Sequence, residues 1–168
     1  DRGGTGRGAR AAPVGVRLGA GATTRMRIRR AEPGDHDVAL RLLRSFDLPT
    51  VGVPETMSGF FVAEGADGDV VGLVGLEVHG SHGLLRSLAV DPRCRGRGLG
   101  GALVGETVEA ARRAGLEGLY LLTTTADDYF LGHGFRVVER ASAPDPVQRS
   151  VEFSEACPAS AVAMSLPL

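Results

Sequence analysis

The feature that most constrains this chain is a glycine- and arginine-rich segment between an apolar run and a helical pattern. The apolar run LLRSLAV covers residues 84–90, and the segment RCRGRGLGG covers residues 93–101. From residue 99 to residue 114, apolar side chains recur at the spacing of one helical face. This order predicts a strand, a tight loop and the beginning of a helix.

The predicted loop is suited to binding an anion. The first turn of a helix exposes backbone amides that lack intrahelical partners, and the aligned peptide dipoles make this end partly positive. Glycines at 96, 98, 100 and 101 leave those amides accessible. Arg95 and Arg97 add forked donors for phosphate oxygens. We therefore prefer a phosphate-binding loop to a glycine-rich connection with solvated arginines.

Two other phosphate-binding motifs do not fit this segment. A P-loop ends in Gly-Lys-Ser or Gly-Lys-Thr, and all 19 basic residues of this chain are arginine. Gly96, Gly98 and Gly101 have the GxGxxG spacing of a dinucleotide-binding fold, in which the first glycine follows its strand directly. Here the residues DPRCR intervene, and the next apolar run, LYLLTT, does not end in an acidic residue.

Composition indicates one folded domain, which we place at residues 26–168. The chain of 168 residues is 43% hydrophobic with a formal net charge of -1, so it can bury a sizeable core and gives no reason to expect nucleic acid as a partner. The sequence contains no apolar run of about 18 residues, so no membrane span is expected.

Residues 1–25 are rich in Gly, Ala and Arg, which predicts a disordered tail or an upstream extension. A nucleic-acid-binding arm is the alternative for this tail.

The two cysteines do not indicate a disulfide framework or a metal site. Cys94 and Cys157 have no His or Cys at the spacing of two to four residues that zinc sites use. We therefore expect no metal, a reduced cytoplasmic environment and no nucleophilic role for either thiol.

The remaining patterns predict an α/β (α+β) fold. Asp35 is the expected N-cap of the first helix. We expect strands at 26–31, 59–65, 69–80, 84–90, 118–124, 135–141 and 160–166. We expect helices at 32–49, 99–114 and 126–134. The sheet is therefore predicted to be mixed and mostly antiparallel, flanked by helices, with one right-handed crossover in the middle.

The loop also carries a family resemblance. RGRGLG at 95–100 matches the Arg/Gln-x-x-Gly-x-Gly/Ala signature of the GCN5-related N-acetyltransferases (GNAT), and it follows the expected AVDP. The likeness extends over residues 26–168 through the strand order and the GF at 134–135. The resemblance implies the GNAT fold, with a central sheet that splays apart where acetyl-CoA binds as co-substrate.

The same resemblance implies the residues that bind acetyl-CoA. The amides of 96–101 and the side chain of Arg95 would hold the pyrophosphate, and the backbone of 88–90 would pair with the pantetheine arm. The implied set is Leu88, Ala89, Val90, Arg95, Gly96, Arg97, Gly98, Leu99, Gly100, Gly101, Thr124 and Phe130.

A narrower likeness concerns the acceptor. LVGLEV, GLLRSLAVDP, LYLLTTTADDYF and EFSEACPASAVAM resemble arsenic-resistance-associated (ArsN-like) acetyltransferases, which are related to phosphinothricin acetyltransferases. This likeness implies acetylation of the α-amino group of a small amino-acid-like molecule that carries an arsinyl or phosphinyl acid. The sequence leaves open whether the enzyme is a homodimer.

The catalytic candidates depart from the family pattern. The usual glutamate position on the signature strand is Arg86, which can clamp an acidic group but cannot act as a base. Glu77 is our candidate base, with His79 in reserve, and a simple cross-strand pair between Glu77 and Arg86 is the alternative. The usual tyrosine position is Phe130, so Tyr129 is the candidate acid, with a core or rim aromatic as the alternative.

Two other functions stay open beside a small-molecule acetyltransferase. A non-catalytic acyl-CoA-binding module would bind the cofactor without turnover, and a protein acetyltransferase would act on peptides. Three further residues lie at the end of the predicted strand 118–124 and either bind the pantetheine amides or satisfy strand-end groups: Thr123, Thr124 and Thr125. For His133, the favourable interaction with the dipole of its helix is a sufficient explanation. Arg149 is a further candidate for holding an acidic substrate.

Overall fold

The structure is a computed structural model, and it describes residues 26–168. The predicted tail at 1–25 lies outside the described residues. The strands are β1 (Arg27–Arg30), β2 (Phe60–Glu64), β3 (Val70–His79), β4 (His82–Val90), β5 (Gly118–Thr123), β6 (Arg136–Val138) and β7 (Val162–Pro167). The α-helices are α1 (His36–Ser45), α2 (Leu99–Arg113), α3 (Asp127–Leu131) and α4 (Asp145–Gln148).

The seven strands form one sheet in the order β1-β2-β3-β4-β5-β7-β6. Every neighbouring pair is antiparallel except β4 and β5, which are parallel. Helix α2 makes the connection between these two strands, as parallel pairing requires. The predicted mixed, mostly antiparallel sheet with flanking helices is confirmed.

Alternation along β2 builds a core on each face of the sheet. Phe61 and Ala63 belong to the core that α2 covers, where α2 buries Leu99 and Leu103. Phe60 and Val62 point to the other face and pack in the core that includes Leu43 of α1. Successive strand residues point to opposite faces, so the sheet is covered on both sides.

Asp35 occupies the N-cap position of α1, as predicted, but its carboxylate does not cap the helix through its side chain. A 3-10 turn at Pro33–Asp35 precedes the helix. The Asp35 carboxylate accepts the backbone N–H of Glu32 at 2.7 Å and pairs with Arg29 at 2.7 Å. Pro33 suits the first position of a turn, so the turn begins before Asp35 and rotates this carboxylate back toward β1.

The predicted strand at 135–141 is too long. β6 ends at Val138, and a 3-10 turn follows at Arg140–Ser142. Arg140 donates to the backbone carbonyls of Phe153 and Pro158, which ties this turn to a distant segment. Helix α4 and a π-helical turn at Glu152–Ala156 fill the region where the sequence shows no periodic pattern.

Candidate functional site

A cavity lies where β4 and β5 separate. The two strands pair only from His82–Gly118 to Leu84–Tyr120, although β4 runs on to Val90. The cavity beside this opening has a volume of about 990 Å³. Its lining includes the end of β4, the glycine loop, the residues after β5 and the π-helical turn.

A bulge in β4 sits on the cavity wall. Leu73 of β3 pairs with Ala89, whereas Gly75 pairs with Arg86, so two steps along β3 match three steps along β4. Ser87 has a φ of 59°, a left-handed conformation that side chains other than glycine rarely adopt. Bulges of this kind redirect the strand locally and are frequent beside active sites.

The glycine loop presents an unobstructed backbone to the cavity. Gly98 is the N-cap of α2, with a φ of 77°, and Gly96 has a φ of 73°. A β-carbon at either position would have no heavy atom within 4 Å. The first turn of α2 continues this surface through Gly100 and Gly101, which also line the cavity. The N-terminal end of α2, where backbone amides lack intrahelical partners, therefore borders the cavity, as an anion site requires.

The two loop arginines lie differently. The Arg95 guanidinium stands 4.5 Å from the centre of the Phe46 ring, and its Nε donates to the Val90 carbonyl at 3.3 Å. Arg95 lines the cavity. Arg97 is exposed and is not among the lining residues. Its predicted contact with a phosphate therefore stays a prediction.

The aromatic residues of α3 close the cavity beside α2. Phe130 is buried and packs edge-on against Phe135. Tyr129 is 41% exposed, lines the cavity and lies against His133 with 4.7 Å between ring centres. Partial burial raises the pKa of Tyr129 above its usual value, so its hydroxyl is protonated at neutral pH.

The threonines after β5 also reach the cavity. Thr123, Thr124 and Thr125 all belong to its lining. Thr123 Oγ1 accepts the backbone N–H of Ala126 at 3.0 Å, so this hydroxyl satisfies a strand-end group. Thr124 lies in the cavity wall where the sequence predicted a cofactor contact.

At the β4 bulge, the buried side chain of Arg86 contacts several hydrogen-bond acceptors. The Arg86 side chain is 0% exposed, and its two terminal nitrogens lie 3.3 Å from Glu77 and 3.0 Å from Glu152. It also donates to the Val51 carbonyl at 2.7 Å and to the Ser87 hydroxyl at 3.0 Å. The cross-strand pair with Glu77 is present, and most donors of Arg86 are directed at protein acceptors.

Glu77 and His79 do not line the cavity. The second carboxylate oxygen of Glu77 lies 3.7 Å from His79 Nε2. That nitrogen is buried and has no hydrogen-bond partner among the residues from 26 to 168. Both candidate bases therefore contact Arg86 or each other rather than the cavity. Arg149 is exposed and is not a lining residue either.

Sequence reasoning missed Glu152, which lines the cavity from the π-helical turn. Glu152 is 5% exposed, and its second oxygen accepts the Cys157 thiol at 3.0 Å. Burial, with this bond to Glu152, raises the pKa of Cys157 to about 12. EFSEAC contains two glutamates without periodic context, so no local signal distinguishes the buried one from the exposed one.

The described part of the chain has neither a cluster of metal ligands nor a membrane-spanning helix. No group of three or more His, Cys, Asp or Glu residues is arranged there to hold a metal ion. None of its helices is both long and apolar enough to cross a bilayer.

Comparisons with known proteins agree on one family. The model of the Acetyltransferase (GNAT) family matches residues 28–135. An amino-acid acetyltransferase of Mycobacterium tuberculosis is 33% identical over 139 residues, which cover 77% of this chain and 76% of that protein.

Solved structures give the same result. The Mycobacterium tuberculosis protein Rv2747, solved in complex with CoA and NLQ, superposes with a TM-score of 0.72 at 29% identity. That match covers 84% of this chain and 98% of the other. N-acetylglutamate synthase from Neisseria gonorrhoeae, complexed with coenzyme A and N-acetyl-glutamate, gives a TM-score of 0.73 at 22% identity over 85% of this chain and 35% of that one. This second likeness concerns the fold alone.

Proposed function

The chain belongs to the acetyltransferase (GNAT) family, and we propose that it transfers the acetyl group of acetyl-CoA to the amino group of a small amino-acid-like molecule. The observation that carries this proposal is one cavity that has both an anion-binding surface and a buried ion pair in its wall. The glycine-lined N-terminus of α2 stands at one part of its wall, and the buried pair of Arg86 and Glu152 stands at another.

The chain's own residues fit acetyl-CoA. Backbone amides at 96–101 and the Arg95 guanidinium offer donors for the pyrophosphate. Beyond Leu84, β4 has no ladder with β5, so its edge at 88–90 is open to the amide groups of a pantetheine arm. A β-carbon at Gly100 would meet the Tyr129 hydroxyl at 2.6 Å, and one at Gly101 would meet the His133 ring at 3.1 Å, so a side chain at either position would displace one of these rings in the cavity wall.

When bound, acetyl-CoA supplies an activated acetyl thioester. Backbone N–H groups beside the β4 bulge can polarise its carbonyl, since donors fixed in a partly closed site stabilise developing negative charge. Tyr129 is our proposed proton donor to the leaving sulfur, because its hydroxyl is protonated at neutral pH and lies in the cavity wall.

The acceptor class rests on relatives and on the site. The relative that is 33% identical acts on amino acids by its name, and Rv2747 was solved with CoA and NLQ. Amino acids with an arsinyl or phosphinyl group, which the narrower sequence resemblance implies, are members of this class and belong in the same assay. The charged groups around Arg86 fit a small polar acceptor better than an apolar one.

The test combines thermal unfolding with an assay of free CoA thiol. A ligand at about 100 times its dissociation constant stabilises by roughly 2.7 kcal/mol, so acetyl-CoA should raise the Tm by about 5 to 10 °C, and NAD should leave it unchanged. Thiol release is then followed with L-amino acids, phosphinothricin and a peptide with a free N-terminus.

Each outcome of this test identifies one of the candidate functions or excludes the proposal. Thiol release with an amino acid supports the proposal, and release with phosphinothricin alone supports its narrower form. A Tm shift without turnover indicates an acyl-CoA-binding module, whereas release with the peptide alone indicates a protein acetyltransferase. No shift with acetyl-CoA contradicts the proposal as a whole.

A further inference from the structure

We propose that Glu152 holds the ammonium group of the acceptor and removes a proton from it, a role that rests on the acetyltransferase function proposed above. The reaction needs a deprotonated amine, because an ammonium nitrogen has no lone pair with which to attack a carbonyl. A positioned carboxylate that takes this proton is a general base.

Among the described residues that line the cavity, two are carboxylates: Asp47 and Glu152. Asp47 is exposed to solvent and follows the end of α1. Glu152 is 5% exposed and faces the cavity from the π-helical turn. Only the buried carboxylate is shielded enough to bind an ammonium group in competition with water.

The surroundings of Glu152 fix both of its oxygens. Oε1 lies 3.0 Å from Arg86 Nη2, and Oε2 accepts the Cys157 thiol at 3.0 Å. Each carboxylate oxygen has two lone-pair directions, so one direction on each oxygen is left to accept an N–H of the substrate ammonium group. Arg86 is itself fixed by Val51 and Ser87, which makes it a positioning residue for Glu152.

The charge balance of the cluster favours a cation. Arg86 carries one positive charge, and its two carboxylate partners, Glu77 and Glu152, carry two negative charges. Within this group of three side chains, the acceptor ammonium would balance the second carboxylate charge; His79, 3.7 Å from Glu77, and Arg140, which donates to the Phe153 carbonyl, border the group. Because Arg86 already contacts both glutamates, it is less suited to bind an acidic group of the amine substrate, the role that its sequence position suggested.

The proton transfers balance with the overall reaction. Glu152 takes one proton from the ammonium group and later releases it to solvent. The freed lone pair forms the new C–N bond as the C–S bond breaks, and the sulfur keeps the electrons of that bond. The nitrogen loses a second proton to water. The sulfur gains one from Tyr129, which water then reprotonates, or from water directly, so the products are the amide, CoA thiol and one proton.

The test compares Glu152→Gln with wild type and with Glu155→Gln, in the full chain. Glu155 lies in the same π-helical turn but is exposed and outside the cavity lining, so it is the matched control. Thiol release is measured from pH 7 to pH 10, and binding of acetyl-CoA is measured by its Tm shift. We expect E152Q to lower kcat/KM by about 100-fold or more at pH 7, with the Tm shift retained and E155Q within twofold of wild type.

The pH dependence distinguishes proton removal from a structural role. Above the pKa of the free amine, solution already supplies the unprotonated acceptor, so the defect of E152Q should shrink steadily toward pH 10. A defect that is the same at every pH would overturn the proposal. The same pH-dependent defect in Glu77→Gln, with E152Q within twofold of wild type, would also overturn it and assign the base to Glu77.

Glu152→Asp keeps the test decisive if E152Q does not fold. Aspartate retains the carboxylate but withdraws it by one methylene, so we expect a loss of about tenfold with the pH profile of wild type. Wild-type activity in E152D would contradict a positioned base. Failure of the acetyltransferase function itself is separate, because wild type would then release no thiol with any amine.

Discussion

The hydroxyl oxygen of Tyr129 lies over Gly100 so closely that a β-carbon at this glycine would be 2.6 Å from it. Gly100→Ala should therefore push Tyr129 away from the first turn of α2 and place a methyl group in the cavity wall. We expect the dissociation constant for acetyl-CoA to rise on the order of tenfold, equal to about 1.4 kcal/mol. Isothermal titration calorimetry measures this change.

Stability should change little in this variant. The clash is with the far end of a partly exposed side chain, and alanine favours a helix over glycine by about 0.5–1 kcal/mol. Gly105→Ala is the matched control, because a β-carbon there has no heavy atom within 4 Å in the same helix. It should raise stability by a similar amount and leave acetyl-CoA binding unchanged; equal binding by both variants would contradict the placement of the cofactor.

Arg95 should contribute charge to cofactor binding, whereas Arg93 should not. Arg95 lines the cavity, while Arg93 is exposed and pairs with Asp91 at 2.8 Å. A hydrogen bond to a charged group is worth about 1.5–3 kcal/mol, so Arg95→Gln should weaken acetyl-CoA binding by about tenfold or more. Titrations at low and high salt should show a smaller salt dependence for this variant than for wild type, and Arg93→Gln should match wild type in both.

The Arg29–Asp35 pair should make stability depend on pH. The hydrogen bond from Arg29 holds the pKa of Asp35 below its usual value. A lowered pKa in the folded state stabilises the protein above the unfolded pKa of about 3.9, and this contribution disappears as pH falls through the folded value. Asp35→Asn should therefore lower the free energy of unfolding at pH 7 by about 2 kcal/mol.

Urea denaturation at several pH values tests this linkage. The difference between wild type and D35N should be constant from pH 7 to pH 5 and should narrow below about pH 4. Asp37→Asn is the control, since the Asp37 side chain is 89% exposed at the start of α1. A constant difference between D35N and wild type down to pH 2 would show that the carboxylate charge is not the cause.

Local sequence signals predicted the part of the cavity to which we assign the cofactor. The change from an apolar run to glycine and arginine, followed by helical spacing, depends only on neighbouring residues. The structure accordingly has β4, the loop and α2 where the sequence placed them, with Gly98 at the N-cap. The mixed sheet was also predictable, because apolar periodicity separates its strands from its helices.

The part of the cavity that we assign to the acceptor depends on contacts that are distant in sequence. The predicted hairpin put Glu77 across from Arg86, and the two side chains do pair. The hairpin pattern could not show that Glu77 stays outside the cavity lining while Glu152, 66 positions beyond Arg86 along the chain, lies within it. Burial of Glu152 depends on packing of the irregular segment after α4, where composition and spacing carry no period.

The Cys157 thiol should be unreactive although it lies in the cavity wall. Burial, followed by its bond to Glu152, raises the pKa of this thiol to about 12. Because the thiolate is the reactive form, alkylation by iodoacetamide at pH 8 should be on the order of a hundred- to a thousandfold slower than in the unfolded chain, where the pKa is about 8.5. The measurement is the rate of mass increase in a Cys94→Ser background, with and without urea.

The raised pKa of Cys157 also makes stability depend on pH, because its deprotonation favours unfolding as pH rises from about 9 toward 12. Cys157→Ser should therefore remove part of the loss of stability in this range. Rapid labelling of the folded protein at pH 8 would contradict both expectations.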